Sequence, residues 1–216
     1  MLLAERVGVL TDMASADLDT LWTLVNTAPQ AYEALMDVLP TLIDTYGAAA
    51  AEVAAQWYEE LREIEGIAGY FAPVVPPAQD RGAQALAGWA TQPLRDEEPN
   101  WDYAHSRAAG GLQRRIADQA RDTVMGSAVA DPQAAGWQRL TRAGACGFCQ
   151  MIASRGTVYT SQHNADFGAH DSCTCSATVA WLGRPVPVRA YTPSHRTISD
   201  ADRARAREWI AAYLGG

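Results

Sequence analysis

All four cysteines of the chain fall within thirty residues, with a histidine among them: Cys146-x2-Cys149-x20-His170-x2-Cys173-x-Cys175. Thiolate sulfur and imidazole nitrogen are the ligands that zinc prefers. A structural zinc takes four of them in a tetrahedron, usually as two close pairs joined by a loop. Cys146 and Cys149 make one pair, with Gly147 easing the turn between them. The returning donors come from His170, Cys173 and Cys175. The spacing to His170 and on to Cys173 matches a zinc-ribbon pattern in which histidine replaces the third cysteine. Cys146, Cys149, His170 and Cys173 are therefore the favoured ligands of a structural zinc, and Cys175 can replace either of the last two. Asp171 and His163 are weaker donors nearby.

Other chemistries use the same residues. Two disulfides would need an oxidising compartment, and the segment from Met1 to Arg6 has neither the basic start nor the apolar run of an export signal. Cys146-Gly147-Phe148-Cys149 matches a redox C-x-x-C, but no βαβ pattern surrounds it. A nucleobase deaminase places H-x-E before its cysteine pair. Here the pair comes first, with no His-x-Glu ahead of it. A zinc-supported nuclease of the His-Asn-His type is the enzymatic alternative, and would draw on His163, Asn164, His170 and Asp171. All 17 basic Lys-plus-Arg positions are arginine. That excludes Schiff-base lysine chemistry and a P-loop lysine.

The elements that carry this cluster read as mainly α. Leu3, Val7, Leu10, Ala14, Leu18, Leu21 and Val25 form one helical stripe, with Asp17 and Asp19 as a point of interruption. Pro29 suits the first turn of a second helix, and Pro40 predicts its kink or break. A third helix is predicted over 41–65, with Leu42, Tyr46, Ala49, Val53, Trp57, Leu61 and Ile64 on its apolar face. Glu59, Glu60, Glu63 and Glu65 sit at its C-terminal end, where the helix dipole disfavours them, and this hints at an arginine partner. Asp80 can cap a short helix carrying Leu86 and Trp89. A long helix over 101–129 follows, with Leu112, Ile116, Ala120 and Val124 four apart. Arg114, Arg115 and Arg121 are expected on its other faces, and Gly110-Gly111 as a soft point.

After residue 136 the helical period stops. A helical turn is predicted at 150–155 and strands at 157–160 and 174–181. An extended proline-rich arm covers 183–193, and Ser199 can cap a last helix whose Trp209, Ile210 and Leu214 dock on the body. The expected organisation is an elongated helical body over 1–135, a small α+β Cys/His zinc-knuckle lobe over 136–182, and an arm with a C-terminal helix over 183–216. The seven tryptophans are expected mostly in core packing. No run approaches eighteen apolar residues, so no membrane span is predicted. Residues 1–100 carry 4 arginines against 16 acids, and residues 101–216 carry 13 against 9. An acidic half is a poor partner for phosphate, so DNA contact has only weak support.

The run Gly136-Trp137-Gln138-Arg139-Leu140, the stretch Cys146-Gly147-Phe148-Cys149 with Ser154-Arg155-Gly156-Thr157-Val158-Tyr159, and the closing His170-Asp171-Ser172-Cys173-Thr174-Cys175 resemble the minor head proteins of tailed bacteriophages. The match is to the Mu F-like head-morphogenesis family of phages infecting actinobacteria. Upstream, Trp57-Tyr58-Glu59-Glu60-Leu61-Arg62 and Ala120-Arg121-Asp122-Thr123-Val124 extend the resemblance over most of 40–180. It implies a non-enzymatic, low-copy head component that acts with the portal and with scaffold or major capsid protein, is assembled in the host cytoplasm and is retained in the virion. It also implies that the family's cysteines and histidine correspond to Cys146, Cys149, His170, Cys173 and Cys175. Some relatives are called maturation proteases, but no serine-histidine constellation here supports that activity.

Overall fold

The structure, a computed structural model, describes residues 2–77, 82–142, 145–154, 156, 159, 167–183 and 204. Its elements are α1 (Leu3–Trp22), α2 (Ala28–Ile64), α3 (Ala83–Ala90), a 3-10 turn (Gln92–Leu94), α4 (Trp101–Ala130), β1 (Ala134–Leu140), α5 (Gly147–Ser154) and β2 (Ser176–Trp181). The protein is mainly α, with a small two-stranded antiparallel sheet toward the C-terminus. Among the described residues, no helix is long and apolar enough to cross a membrane.

Helix α1 is unbroken. Asp17 and Asp19 do not interrupt it, because both lie on its exposed side and find partners there. Asp17 accepts the Tyr46 hydroxyl at 2.6 Å, and Asp19 meets His105 Nε2 at 2.8 Å. The Thr27 side chain caps α2 by accepting the Gln30 N–H, with proline in the first turn as predicted. The predicted break at Pro40 is absent, and the second and third predicted helices are one helix of 37 residues. Proline removes one bond from the ladder. Leu35, Leu39, Leu42 and Ile43, buried on either side of it, hold the flanking turns in the core.

The buried line of α2 also differs from the predicted stripe. Ala50, Ala54, Tyr58 and Arg62 face inward, while Ile64 is 78% exposed. Small side chains let α2 and α4 approach closely: a Cβ on Gly47 would lie 2.9 Å from Gln119 Cγ. The glutamate cluster does find its arginine, since Arg6 Nη1 donates to Glu60 at 3.0 Å.

On α4, Leu112, Ile116, Ala120 and Val124 are buried as predicted. Gly110-Gly111 is a contact point rather than a soft one. A Cβ on Gly111 would lie 2.3 Å from Leu86 Cδ1, so α3 rests on bare backbone there. Arg115 and Arg121 are buried instead of projecting outward. The helix ends at Asp131, whose carboxylate accepts from the Tyr58 hydroxyl, the Arg62 guanidinium and the Gln133 N–H. Arg62 also donates to the Ala68 and Gly69 carbonyls and lies over the Phe71 and Trp181 rings. This buried charge pair ties α2, α4 and β2 together.

A single buried apolar cluster runs from Leu3 and Ile43 through Ile116 to Trp137, Cys149, Cys173 and Val179. Of the tryptophans, Trp137 and Trp181 are in the core, Trp22, Trp57 and Trp101 are half-buried, and Trp89 is exposed. Strand β2 begins two residues later than predicted. Of the 157–160 strand, the described Tyr159 bridges Trp137 in antiparallel fashion and stacks on its ring at 4.6 Å. Asp80, Trp209 and the other residues beyond Gly183 apart from Ala204 lie outside the described residues, and so do the expectations placed on them.

Removing one partner of a buried ion pair strands the other charge, at a cost of about 3–5 kcal/mol. Asp131→Ala should therefore lower the urea unfolding midpoint sharply. Glu60→Ala, which breaks the exposed Arg6 pair, should leave it nearly unchanged. Equal midpoints for the two variants would contradict this account.

Candidate metal centre

Three chain segments bring the cluster together. Cys146 stands just before α5, and its sulfur takes the capping role usually played by oxygen: the Cys149 N–H points at Cys146 Sγ at 3.5 Å. The first turn of α5 then carries Cys149 inward, where it is buried. The predicted helical turn thus begins three residues early, inside the C-x-x-C. The second segment is a tight turn in which the Cys173 N–H donates to the His170 carbonyl at 3.2 Å, with Ser172 at φ +60°. It sits directly on α4. The Ser172 N–H donates to the Gly110 carbonyl, Asp171 pairs with Arg114 at 3.2 Å, and a Cβ on Gly110 would lie 2.8 Å from Ser172 Oγ. Cys175 follows, immediately before β2.

All five predicted donors enter two overlapping trios. Cys146, Cys149 and His170 form one, and Cys149, Cys173 and Cys175 the other; within each trio the ligand atoms lie within 4.8 Å of one another. Cys149 Sγ to Cys173 Sγ is 3.8 Å, and Cys146 Sγ to His170 Nε2 is 3.2 Å. A zinc–sulfur bond of about 2.3 Å gives a tetrahedral sulfur–sulfur edge of about 3.8 Å, and the mixed edge to nitrogen is about 3.6 Å. The first pair matches, and the second is a few tenths of an ångström short. His170 Nδ1 lies 2.7 Å from the Asp171 carbonyl oxygen. A proton on Nδ1 satisfies that carbonyl and leaves the Nε2 lone pair facing the sulfurs, the arrangement usual for metal-bound histidine. The cluster has the donor types and geometry to hold a metal ion.

Two arginines complete the surroundings. Arg121, 2% exposed, reaches from α4 to the backbone of the C-x-C segment. Its Nε donates to the Cys175 carbonyl at 3.0 Å, and Nη2 to the Cys173 and Cys175 carbonyls at 2.6 and 2.9 Å. Arg139, also 2% exposed, comes from β1 and points Nη1 at Cys149 Sγ at 3.2 Å. Both guanidinium groups lie over the buried Phe167 ring, at 4.7 and 3.7 Å. A zinc dication with three thiolates leaves one net negative charge, and Arg139 is placed to offset it. The periodicity of α4 places Arg121 on an outer face, and nothing local in the sequence signals its role. One clue lies in β1, where alternation sets Arg139 on the same face as the buried Trp137.

Without a cation the thiols divide into ionised and protonated members. The hydrogen bond from the Cys175 thiol brings Cys173 down to about 4 against the effect of burial, helped by the Cys175 N–H and the Arg121 charge. The same hydrogen bond, together with burial, pushes the Cys175 thiol far up. Burial pushes Cys149 up to about 11. Burial opposes ionisation of Cys146 too, but the Cys149 N–H and His170 hold its thiol below the ordinary value. His170 is raised by the Asp171 carbonyl and then by Cys146. Sulfurs this close cannot all carry charge unless a cation sits among them. Asp171 is engaged with Arg114, whereas His163 and Asn164, the remaining residues of the nuclease alternative, lie outside the described residues.

Partners that orient metal ligands typically affect affinity by about 10–100-fold. Arg121→Leu should weaken zinc binding by that order in competition with a chromophoric chelator, and Arg121→Lys should not restore it, because an ammonium lacks the planar fork. An affinity unchanged in Arg121→Leu would show that the carbonyl clamp does not position the site.

Comparison with known proteins follows the same segments. Neither a search of curated proteins nor a search of solved structures found a match. The profile of the VG15 protein family matches residues 3–197, a span that includes every described helix, both strands and all five donors. The chain therefore belongs to the VG15 protein family, a family of phage-associated proteins.

Proposed function

We propose that the chain is a minor head protein of a tailed phage, of the Mu F-like head-morphogenesis type, and that it works by binding rather than by catalysis. Its partners are the portal protein and scaffold or major capsid protein. It is assembled in the host cytoplasm and retained in the virion head. The observation that carries this reading is the match to a phage-associated family over residues 3–197, together with the Cys/His signature inside it.

In this reading the metal is a structural zinc on Cys146, Cys149, His170 and Cys173. The Cys149 and Cys173 sulfurs, 3.8 Å apart, suit one ion, and Cys175, in the same trio as these two, can take the place of Cys173. Four protein donors fill a tetrahedral ion and leave no position for a substrate or an activated water. What the zinc supplies is a crosslink between α5 and the 170–175 turn. Structural zinc sites of this kind contribute on the order of 10–16 kcal/mol of apparent binding energy, which is folding energy for the segment they close.

Co-expression with the portal protein of the same phage provides the test. The expected result is co-elution of the two proteins on size exclusion, with zinc retained, and no turnover when the isolated protein is given plasmid DNA and divalent cations. Failure to associate with any head protein would overturn the proposal. So would plasmid cleavage that is lost in His170→Ala while the fold is kept.

A further inference from the structure

Helix α1 has two faces fit for contact. Leu3, Val7, Thr11, Ala14 and Leu18 form the buried one. A rotation of roughly 100° per residue sets Leu2, Val9, Met13, Ala16 and Thr20 on a second line, across the helix from the first. All five are exposed, and Leu2, Val9 and Met13 are each more than half exposed. Single apolar side chains on a surface are ordinary. Three in one line, continued by the small Ala16 and by Thr20, make a seam that runs for roughly 27 Å. Among the described residues, no element covers it.

One flank of this seam is acidic. Glu5, Asp12 and Asp19 recur every seven residues beside it, all exposed. A seven-residue repeat keeps the same flank beside a partner helix, and charges at such positions choose the partner. The opposite flank holds Arg6, which Glu60 already engages. A second copy of the chain therefore supplies no answering charge. Antiparallel pairing would set acid against acid, which opposes association, and parallel pairing would offer only the occupied Arg6.

We infer that the outer face of α1, from Leu2 to Thr20, is a docking surface for an amphipathic helix of another protein, one whose apolar seam is flanked by arginine or lysine. Apolar side chains of that helix would pack among Leu2, Val9 and Met13, and the small Ala16 would let its backbone come close. Its basic ridge would lie along Glu5, Asp12 and Asp19. The face is held ready on both sides: Asp17 accepts the Tyr46 hydroxyl of α2, and Asp19 meets His105 of α4. A partner meets a preformed helix and orders nothing in this chain, which lowers the entropic cost of binding.

Two fluorescein-labelled helical peptides of the length of α1 test this by fluorescence anisotropy against the full chain. Both carry the same leucine seam; one has arginine along its flank and the other glutamate. The arginine peptide should bind, and the glutamate peptide should bind about tenfold or more weakly, because like charges then face each other. Val9→Asp should abolish binding of the arginine peptide, with the helical circular dichroism unchanged. The added aspartate can only strengthen long-range attraction to arginine, so that loss reports the seam. Asp12→Arg should narrow the gap between the peptides. No binding of the arginine peptide, equal binding of both, binding that survives Val9→Asp in the folded protein, or a gap unchanged by Asp12→Arg would each overturn the inference. So would a dimer of the chain alone that Val9→Asp dissociates, since a second copy would then be the occupant. If Val9→Asp does not fold, the comparison of the two peptides on the unchanged chain decides the matter.

Discussion

The guanidinium of Arg121 joins the two parts of the structure. It rises from the long helix α4 and donates three hydrogen bonds to the carbonyls of Cys173 and Cys175, with Asp118 as its counter-ion. These carbonyls belong to a segment with no secondary structure of its own, lying in the core just before β2. Buried backbone oxygens without partners would oppose folding. A rigid fork on α4 answers that need and sets the height of two cysteines relative to α5. Arg139 does the corresponding work at Cys149 from β1, and Phe167 keeps both guanidinium groups in place. The Cys/His cluster is therefore an outgrowth of the helical core.

Close approach between elements runs through the whole design. Gly47 admits Gln119, Gly111 admits Leu86, and Gly110 admits the turn that carries His170 and Cys173. Each glycine gives up helix propensity for contact. The second buried charge, Arg62 against Asp131, fixes the end of α4, where β1 starts. Two arginines thus mark the two ends of the sheet's attachment to α4, one beside the cysteine cluster and one beside Trp181.

How much of this could be read from the residues alone follows from the range of each interaction. The apolar stripes of α1 and α4 and the proline in the first turn of α2 depend on local spacing, and they stand where periodicity and local rules put them. The unbroken passage through Pro40 depends on core contacts from other elements, which no local rule contains. The same holds for α2: its alanine-lined face turns inward because α4 comes close, and the larger Tyr46, Trp57 and Leu61 move to its flank. The inward position of Arg121 is hidden in the sequence for a related reason. A charged residue beside an apolar stripe reads as surface until the carbonyls it satisfies, more than fifty residues downstream, are brought to it. The kinship with phage proteins was readable from the Cys/His signature, since that motif is local in sequence.

The central claim is that three thiolates and one imidazole from two segments close on a single zinc beside α4. X-ray absorption at the zinc edge of the purified, zinc-loaded protein tests it most directly. The account predicts three sulfurs at about 2.3 Å and one nitrogen at about 2.0–2.1 Å. A shell of four sulfurs, or one made of oxygen and nitrogen alone, would contradict it.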